Sequence, residues 1–260
     1  MELTTKQKYL SAAGLLLVAT AAVKVIGAVY KIPLTGLIGG TGRGYFSTAY
    51  TLFMPVHAIT LGAFPVALSG LVSKYRATGD SARVAALQRS ACGLFFWVGL
   101  AGTALMVLLA GPYTRLVAGA PKAVYTVLIL APTALFSAMA AAHRAFAEGH
   151  LNMVPTSVCQ VLEALFKMVF GLLFAKLSMG RLYQIYLDTG MVLGNRAESE
   201  TAALSMMYPV TAACAMLGVT LGALVAWVYA ALYDRFRYPH RLPRQQLPGG
   251  ATRELVRFAL

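Results

Sequence analysis

The chain has 260 residues, 58% of them hydrophobic and only 12% charged, with a formal net charge of +13. Soluble globular domains have about a quarter of their residues charged, so this composition excludes an ordinary soluble domain and points to a membrane protein. In a soluble protein the basic excess would suggest nucleic acid. Here most Lys and Arg fall between and after apolar blocks, which indicates membrane topology and anionic lipid, with no nucleic-acid partner.

Six apolar blocks are long enough, at about 20 residues per helix, to cross the roughly 30 Å of a bilayer's hydrocarbon. They fall at 10–30, 45–71, 90–110, 124–146, 155–177 and 202–233. Together they predict an all-α, polytopic membrane protein, a bundle of six transmembrane helices over residues 1–233.

The first block follows Lys6 and Lys8 and contains Ala19-Thr20-Ala21, as a secretory leader would. It continues past Lys24 to Ile32, so it reads as a retained helix. Lys24 and Lys31 are seven residues apart, hence on nearly one face and about 10 Å apart along the axis. Lys31 lies at the outer end and reads as an interfacial anchor whose stem snorkels to water, or as a cavity residue. Lys24 is deeper, and a cation there needs an ion partner or a hydrated cavity.

The second block holds Pro55, Gly62, Pro65 and, near its middle, His57. Histidine there is either a packing residue or a protonatable group facing a cavity. Pro132 bends the fourth block, and Pro209 lies near the start of the sixth. Such breakers are tolerated where neighbouring helices or water satisfy the freed carbonyls.

The fifth block reads "PTSVCQVLEALFK". Gln160, Glu163 and Lys167 share one helix face, and Glu163 and Lys167, four apart, are positioned to pair. A polar stripe of this kind faces a bundle interior. With Lys24 and His57 it implies a hydrated, net-basic interior suited to an anionic ligand.

The outer segment 178–201 is polar and suggests a short interfacial helix over Leu182–Leu187. Gly218-x-x-x-Gly222 in the last block allows close helix approach. The stretch 234–250, rich in Arg and Pro, reads as a basic cytoplasmic linker, and "TRELVRFAL" begins a new pattern. With the N-terminus inside, 13 Lys and Arg lie on the cytoplasmic side and 7 outside, so both chain ends are expected in the cytoplasm of a multi-pass plasma-membrane protein.

Enzyme signatures are missing. There is no Gly-rich phosphate loop after a strand, no H-E-x-x-H, and no nucleophile with a base at motif spacing. Cys92, Cys159 and Cys214 sit singly in apolar blocks, and His57, His143, His150 and His240 are scattered. Neither a metal site, a cofactor nor a disulfide framework is expected.

Three stretches resemble a known family: "KVIGAVYKIPLTGLIGGTGRGYF" (24–46), "AFPVALSGLVSKY" (63–75) and "HRAFAEGHLNMVPTSVCQVLEALFK" (143–167). They are similar to the stage V sporulation protein B branch of the polysaccharide exporters. That branch lies within the superfamily of multidrug, oligosaccharidyl-lipid and polysaccharide exporters. The most specific elements are Lys24-x-x-Gly27 running into Lys31-Ile32-Pro33-Leu34, and Arg144-x-Phe146-x-x-Gly149-x-x-Asn152-Met153-x-Pro155-Thr156 ahead of Gln160 and Glu163.

The resemblance implies a MATE-like fold of two six-helix lobes around a cavity that opens alternately to either face. It implies flipping of an undecaprenyl-diphosphate-linked saccharide or peptidoglycan precursor. It places the first helix's basic residues, here Lys24 and Lys31, at the diphosphate, with Arg144 and Asn152 in a cytoplasmic-end motif. Relative to that family this chain supplies one lobe, and residues 234–260 lead toward a second lobe or a completing chain. Two alternatives remain open: a cation-coupled drug exporter, which would want unpaired carboxylates within helices, and a scaffold for envelope or spore-cortex assembly.

Overall fold

The computed structural model describes residues 5–238 and 250–259. The linker 239–249, with His240, Arg241 and Arg244, and the side chains of Lys6 and Lys8 lie outside the described residues. The protein is helical almost throughout. Five stretches are long and apolar enough to cross a membrane, and the first of them, Ala13–Ala77, is 65 residues long, enough for two crossings.

That first stretch begins with α1 (Thr5–Leu61), which is divided at Gly39. Gly39 has φ 63° and ψ −177°, a backbone region essentially open only to glycine. A straight helix would hold Tyr30 and Phe46 about 24 Å apart at 1.5 Å per residue. Their ring centroids are 6.5 Å apart. The chain therefore doubles back at Gly39, and α1 consists of two arms, 5–38 and 40–61. Apart from the break at Gly39, residues 31–44 are helical where the apolar blocks left a connecting loop, so Lys31 and Arg43 are helical residues.

A break at Gly62 and Ala63 leads into α2 (Phe64–Ala77), with Pro65 in its first turn, where the missing N–H costs nothing. Then come α3 (Ser81–Pro112), α4 (Val124–Leu130), α5 (Pro132–Gly149), α6 (Val154–Thr189), α7 (Glu200–Arg237) and α8 (Ala251–Ala259). Local chemistry fixes several starts. The Asp80 carboxylate caps α3 by accepting from the Arg83 amide at 3.0 Å, and Ser199 caps α7 by accepting from Ala202 at 3.2 Å. Pro132 opens α5 immediately after α4, so the fourth apolar block is two helices meeting at a bend.

The 36 residues of α6 and the 38 of α7 span about 54 and 57 Å, well beyond the thickness of the hydrocarbon. The expected short helix over Leu182–Leu187 is instead the last part of a continuous α6. Beyond it, Met191–Val192 and Asn195–Arg196 pair as a small antiparallel hairpin at the tip.

The pair α6 and α7 forms the most extensive helix contact. A Cβ placed on Gly218 would stand 2.3 Å from the Gly171 nitrogen, and one on Gly222 would stand 2.9 Å from the Glu163 carbonyl oxygen. The glycine pair thus lets α7 press directly on the α6 backbone. At one end of the bundle α2, α3, α5 and α8 share a core that includes Leu71, Phe95, Phe146 and Leu255. The Tyr75 hydroxyl on α2 donates to Glu254 on α8, and Arg83 donates to the same hydroxyl at 3.4 Å.

Candidate functional site

Where α6 faces both arms of α1, α5 and α7, the bundle encloses a cavity of about 330 Å³. Val23, Gly27 and Tyr30 come from the first arm of α1, and Tyr50, Phe53 and His57 from the second. Thr133, Ser137 and Arg144 come from α5, Gln160, Glu163, Ala164 and Lys167 from α6, and Val219 and Ala223 from α7. The i, i+3, i+4, i+7 spacing on α6 aims its four lining residues one way, as the sequence stripe predicts.

Lys167 is the most elaborately held of these. Its ammonium donates to the Tyr50 hydroxyl at 3.0 Å. It also lies 4.9 Å from the Tyr50 ring centroid, 5.5 Å from that of Tyr30 and 5.8 Å from that of Phe46. Three aromatic faces around one ammonium offset part of what its burial costs. The fold-back at Gly39 creates this cage, since it brings Tyr30 beside Phe46 and Tyr50.

Glu163 does not pair with Lys167, contrary to the expectation from their spacing. Its Oε1 faces Arg144 Nη1 at 3.9 Å. The reason is competition: Tyr50 and the rings draw the Lys167 ammonium toward α1, and the carboxylate is left to the guanidinium of α5. His57 stacks on Phe53 with centroids 5.2 Å apart, and its Nδ1 stands 3.5 Å from the Ser137 hydroxyl.

A second chamber of about 380 Å³ adjoins the first and is lined by His57, Arg144 and Gln160 in common with it. It continues past Ala58, Gly62, Pro65, Glu148 and Thr156, where the Thr156 hydroxyl donates to Glu148 at 2.6 Å. Arg144 therefore stands at the junction of two spaces. Asn152 lies in neither wall. Its amide donates to the Tyr233 and Tyr238 hydroxyls at 2.8 and 3.1 Å, and its side-chain oxygen accepts from the Val154 amide, so it fastens the α5–α6 turn to the end of α7.

Lys24 and Lys31 are exposed and do not line the cavity. Each follows a lining residue, Val23 and Tyr30 respectively, so at about 100° per residue they occupy the neighbouring flank of the first arm. Of the expected site residues the structure thus brings together His57, Gln160, Glu163, Lys167 and Arg144, and sets Lys24 and Lys31 beside them. No group of three or more His, Cys, Asp or Glu suited to a metal occurs among the described residues.

Sequence reasoning missed the aromatic cage and the inward position of Arg144. A signal for the first was present: Phe46, Tyr50, Phe53 and His57 recur at helical spacing and form a continuous run of ring contacts. Also missed was Asp234 at the end of α7, a buried carboxylate. Its Oδ2 accepts from Gln88 and lies 2.8 Å from His143 Nδ1.

Residues 10–188 match the family described as polysaccharide biosynthesis protein. This chain belongs to that family. It is 28% identical over 158 residues to the lipid II flippase MurJ of Bacillus subtilis (strain 168), an alignment covering 56% of this chain and 28% of that protein. To stage V sporulation protein B of the same organism it is 25% identical over 158 residues, 61% of this chain and 30% of that protein. The match therefore spans less than a third of the length of either relative. No solved structure matches the chain significantly. With its long apolar helices, this family member is a multi-pass membrane protein.

Proposed function

We propose that the protein takes part in flipping a lipid-linked saccharide, an undecaprenyl-diphosphate-linked oligosaccharide or peptidoglycan precursor, across the plasma membrane. The observation that carries this reading is the cavity with two inward cations, Lys167 and Arg144, on facing helices. Cations inside a membrane bundle are costly and mark anion or substrate paths. The mixed wall fits the rest of the substrate. Polar groups such as Gln160, Ser137 and Thr133 suit sugar hydroxyls, while the apolar rim of α1 and α7 adjoins the lipid in which a prenyl tail would stay.

The family resemblance and the two relatives support the same reading, and no bond chemistry is needed. This lobe would act with a second lobe, rocking against it to change which side of the membrane the cavity faces. Lys24 and Lys31, on the flank of the first arm, would then face the space between lobes, and both chain ends would lie in the cytoplasm. The cation-coupled drug exporter is less favoured, because Glu163, the carboxylate in the cavity wall, faces Arg144.

The test is flipping of a fluorescent lipid-linked saccharide by the complete protein in proteoliposomes, with Lys167→Gln and Arg144→Gln. Loss of flipping in both variants at normal expression supports the reading. Undiminished flipping in both would remove the cavity from the substrate path.

A further inference from the structure

We propose that Glu163 is the resident counter-ion of Arg144, competing with the diphosphate of the substrate and setting how readily that group is released. This rests on the cavity reading above and adds a specific role for a residue of opposite charge within a basic site. An acidic group in a site for an anion otherwise only weakens binding, so its placement calls for a functional account.

Arg144 lines both chambers, together with His57 and Gln160, so an anion moving between them passes the guanidinium. At 3.9 Å its contact with Glu163 is longer than a hydrogen bond, hence an attraction between charges without a directed bond. Among the described residues neither side chain makes a hydrogen bond, so no directed bond fixes the guanidinium.

The Glu163 backbone, in contrast, is fixed. Gly222 of α7 packs against its carbonyl closely enough that a Cβ would stand 2.9 Å away. The carboxylate therefore swings from an immobile anchor, and with 35% of the side chain exposed it has space to swing into. Lys167, one turn along, is engaged by Tyr50 and does not take the carboxylate when it leaves Arg144.

The charge arithmetic then decides the effect. Arg144 and Lys167 together offer two positive charges, enough to balance the two negative charges of a diphosphate diester, and Glu163 cancels one. A diphosphate must displace the carboxylate to gain Arg144, and the carboxylate returning to Arg144 helps to expel it. Transport needs binding weak enough to leave as well as strong enough to enter. Glu163 supplies the second half of that requirement.

The experiment is calorimetric titration of the complete protein with inorganic pyrophosphate, and with farnesyl diphosphate in nanodiscs, for the wild type, Glu163→Gln, Arg144→Gln, the double variant Glu163→Gln/Arg144→Gln and Lys167→Gln. Glu163→Asp serves if the glutamine variant does not fold, with a smaller effect in the same direction. Glu163→Gln is expected to bind about tenfold tighter or more, and the gain is expected to vanish when Arg144 is also glutamine. In proteoliposomes Glu163→Gln is expected to lower the maximal flipping rate and KM together, as a release defect does.

No tightening in Glu163→Gln, or tightening that persists without Arg144, would overturn the proposal. An ion pair serving stability alone predicts weaker binding and a lower melting temperature. Tightening for pyrophosphate without tightening for farnesyl diphosphate would assign the competition to a free diphosphate instead of a lipid head group. If Lys167→Gln weakens binding while Glu163→Gln changes nothing, the competition idea fails and the cavity reading stands. If Lys167→Gln leaves pyrophosphate binding untouched, the cavity reading itself fails.

Discussion

The Lys167 ammonium and the Tyr50 hydroxyl meet at 3.0 Å across the cavity, joining α6 to the second arm of α1. The contact depends on the reversal at Gly39, because only a folded-back α1 presents Tyr30 and Tyr50 to the same side chain. Tyr50→Phe keeps the ring and removes the acceptor. A hydrogen bond to a charged group contributes about 1.5–3 kcal/mol, so Tyr50→Phe should lower stability by roughly that amount. Adding Lys167→Met, which removes the donor too, should recover part of the loss. Thermal melts of the purified protein in detergent report both effects.

Gly39→Ala tests the reversal itself. The residue would meet a backbone region costing about 1–3 kcal/mol for any side chain, and its Cβ would stand 2.8 Å from the Tyr208 ring. Combining it with Tyr208→Ala should relieve the clash and leave the backbone strain, giving a partial rescue. Paired cysteines at positions 30 and 46 should crosslink in the wild-type background and lose yield in Gly39→Ala.

Much of this was legible in the sequence, for definite reasons. The apolar blocks are long and continuous, so an all-α membrane bundle and the order of its long helices follow from the hydrocarbon thickness, while the helix boundaries do not: five stretches are long and apolar enough to cross, the first of them long enough for two crossings. The α6 stripe of Gln160, Glu163 and Lys167 follows from 3.6-residue periodicity, and the structure places all three in one wall. Pairings between helices did not follow. Spacing alone favoured Glu163 with Lys167, and only the placement of α5 and α1 gives the carboxylate to Arg144 and the ammonium to Tyr50. The cage was hidden for the same reason: Tyr30 and Tyr50 become neighbours through one glycine torsion that hydrophobicity does not encode.

The seam of Gly218 and Gly222 carries a graded expectation. Cβ atoms there would stand 2.3 Å and 2.9 Å from α6 backbone atoms, which cannot yield as a flexible side chain can. Overpacking of this kind costs about 1–3 kcal/mol, so both alanine variants should lower the melting temperature, Gly218→Ala more. Gly222→Ala should also impair flipping beyond its effect on stability, because the turn it displaces bears Glu163. Equal effects on both measures would make the seam purely structural.

At the C-terminal end of α7, Asp234 binds together three helices through Gln88 and His143. Asp234→Ala would leave the half-buried Gln88 amide and His143 ring without their partner, at about 1 kcal/mol each, the lower end of the cost of an unmet polar group. Asp234→Asn retains an oxygen and should cost less. Gln88→Leu in the Asp234→Ala background removes one of the stranded donors and should restore part of the stability. Melting curves of the four proteins separate these outcomes.

Lys24 offers the most direct view of what covers this face of the bundle. It is exposed on the flank of the first arm, amid Val25 and Val29, themselves exposed, and well inside an apolar helix. An ammonium there facing acyl chains would be costly, whereas one facing a hydrated cleft between lobes would not. In the complete protein, Lys24→Cys should therefore react with a membrane-impermeant maleimide from at least one side of the bilayer. A cysteine replacing Val18, also exposed and nearly two turns earlier, provides a comparison. Lys24→Gln should in turn reduce flipping at normal expression. A thiol at position 24 that resists the reagent from both sides, together with full activity of Lys24→Gln, would place this face against lipid and leave Lys167 and Arg144 as the cations on the substrate path.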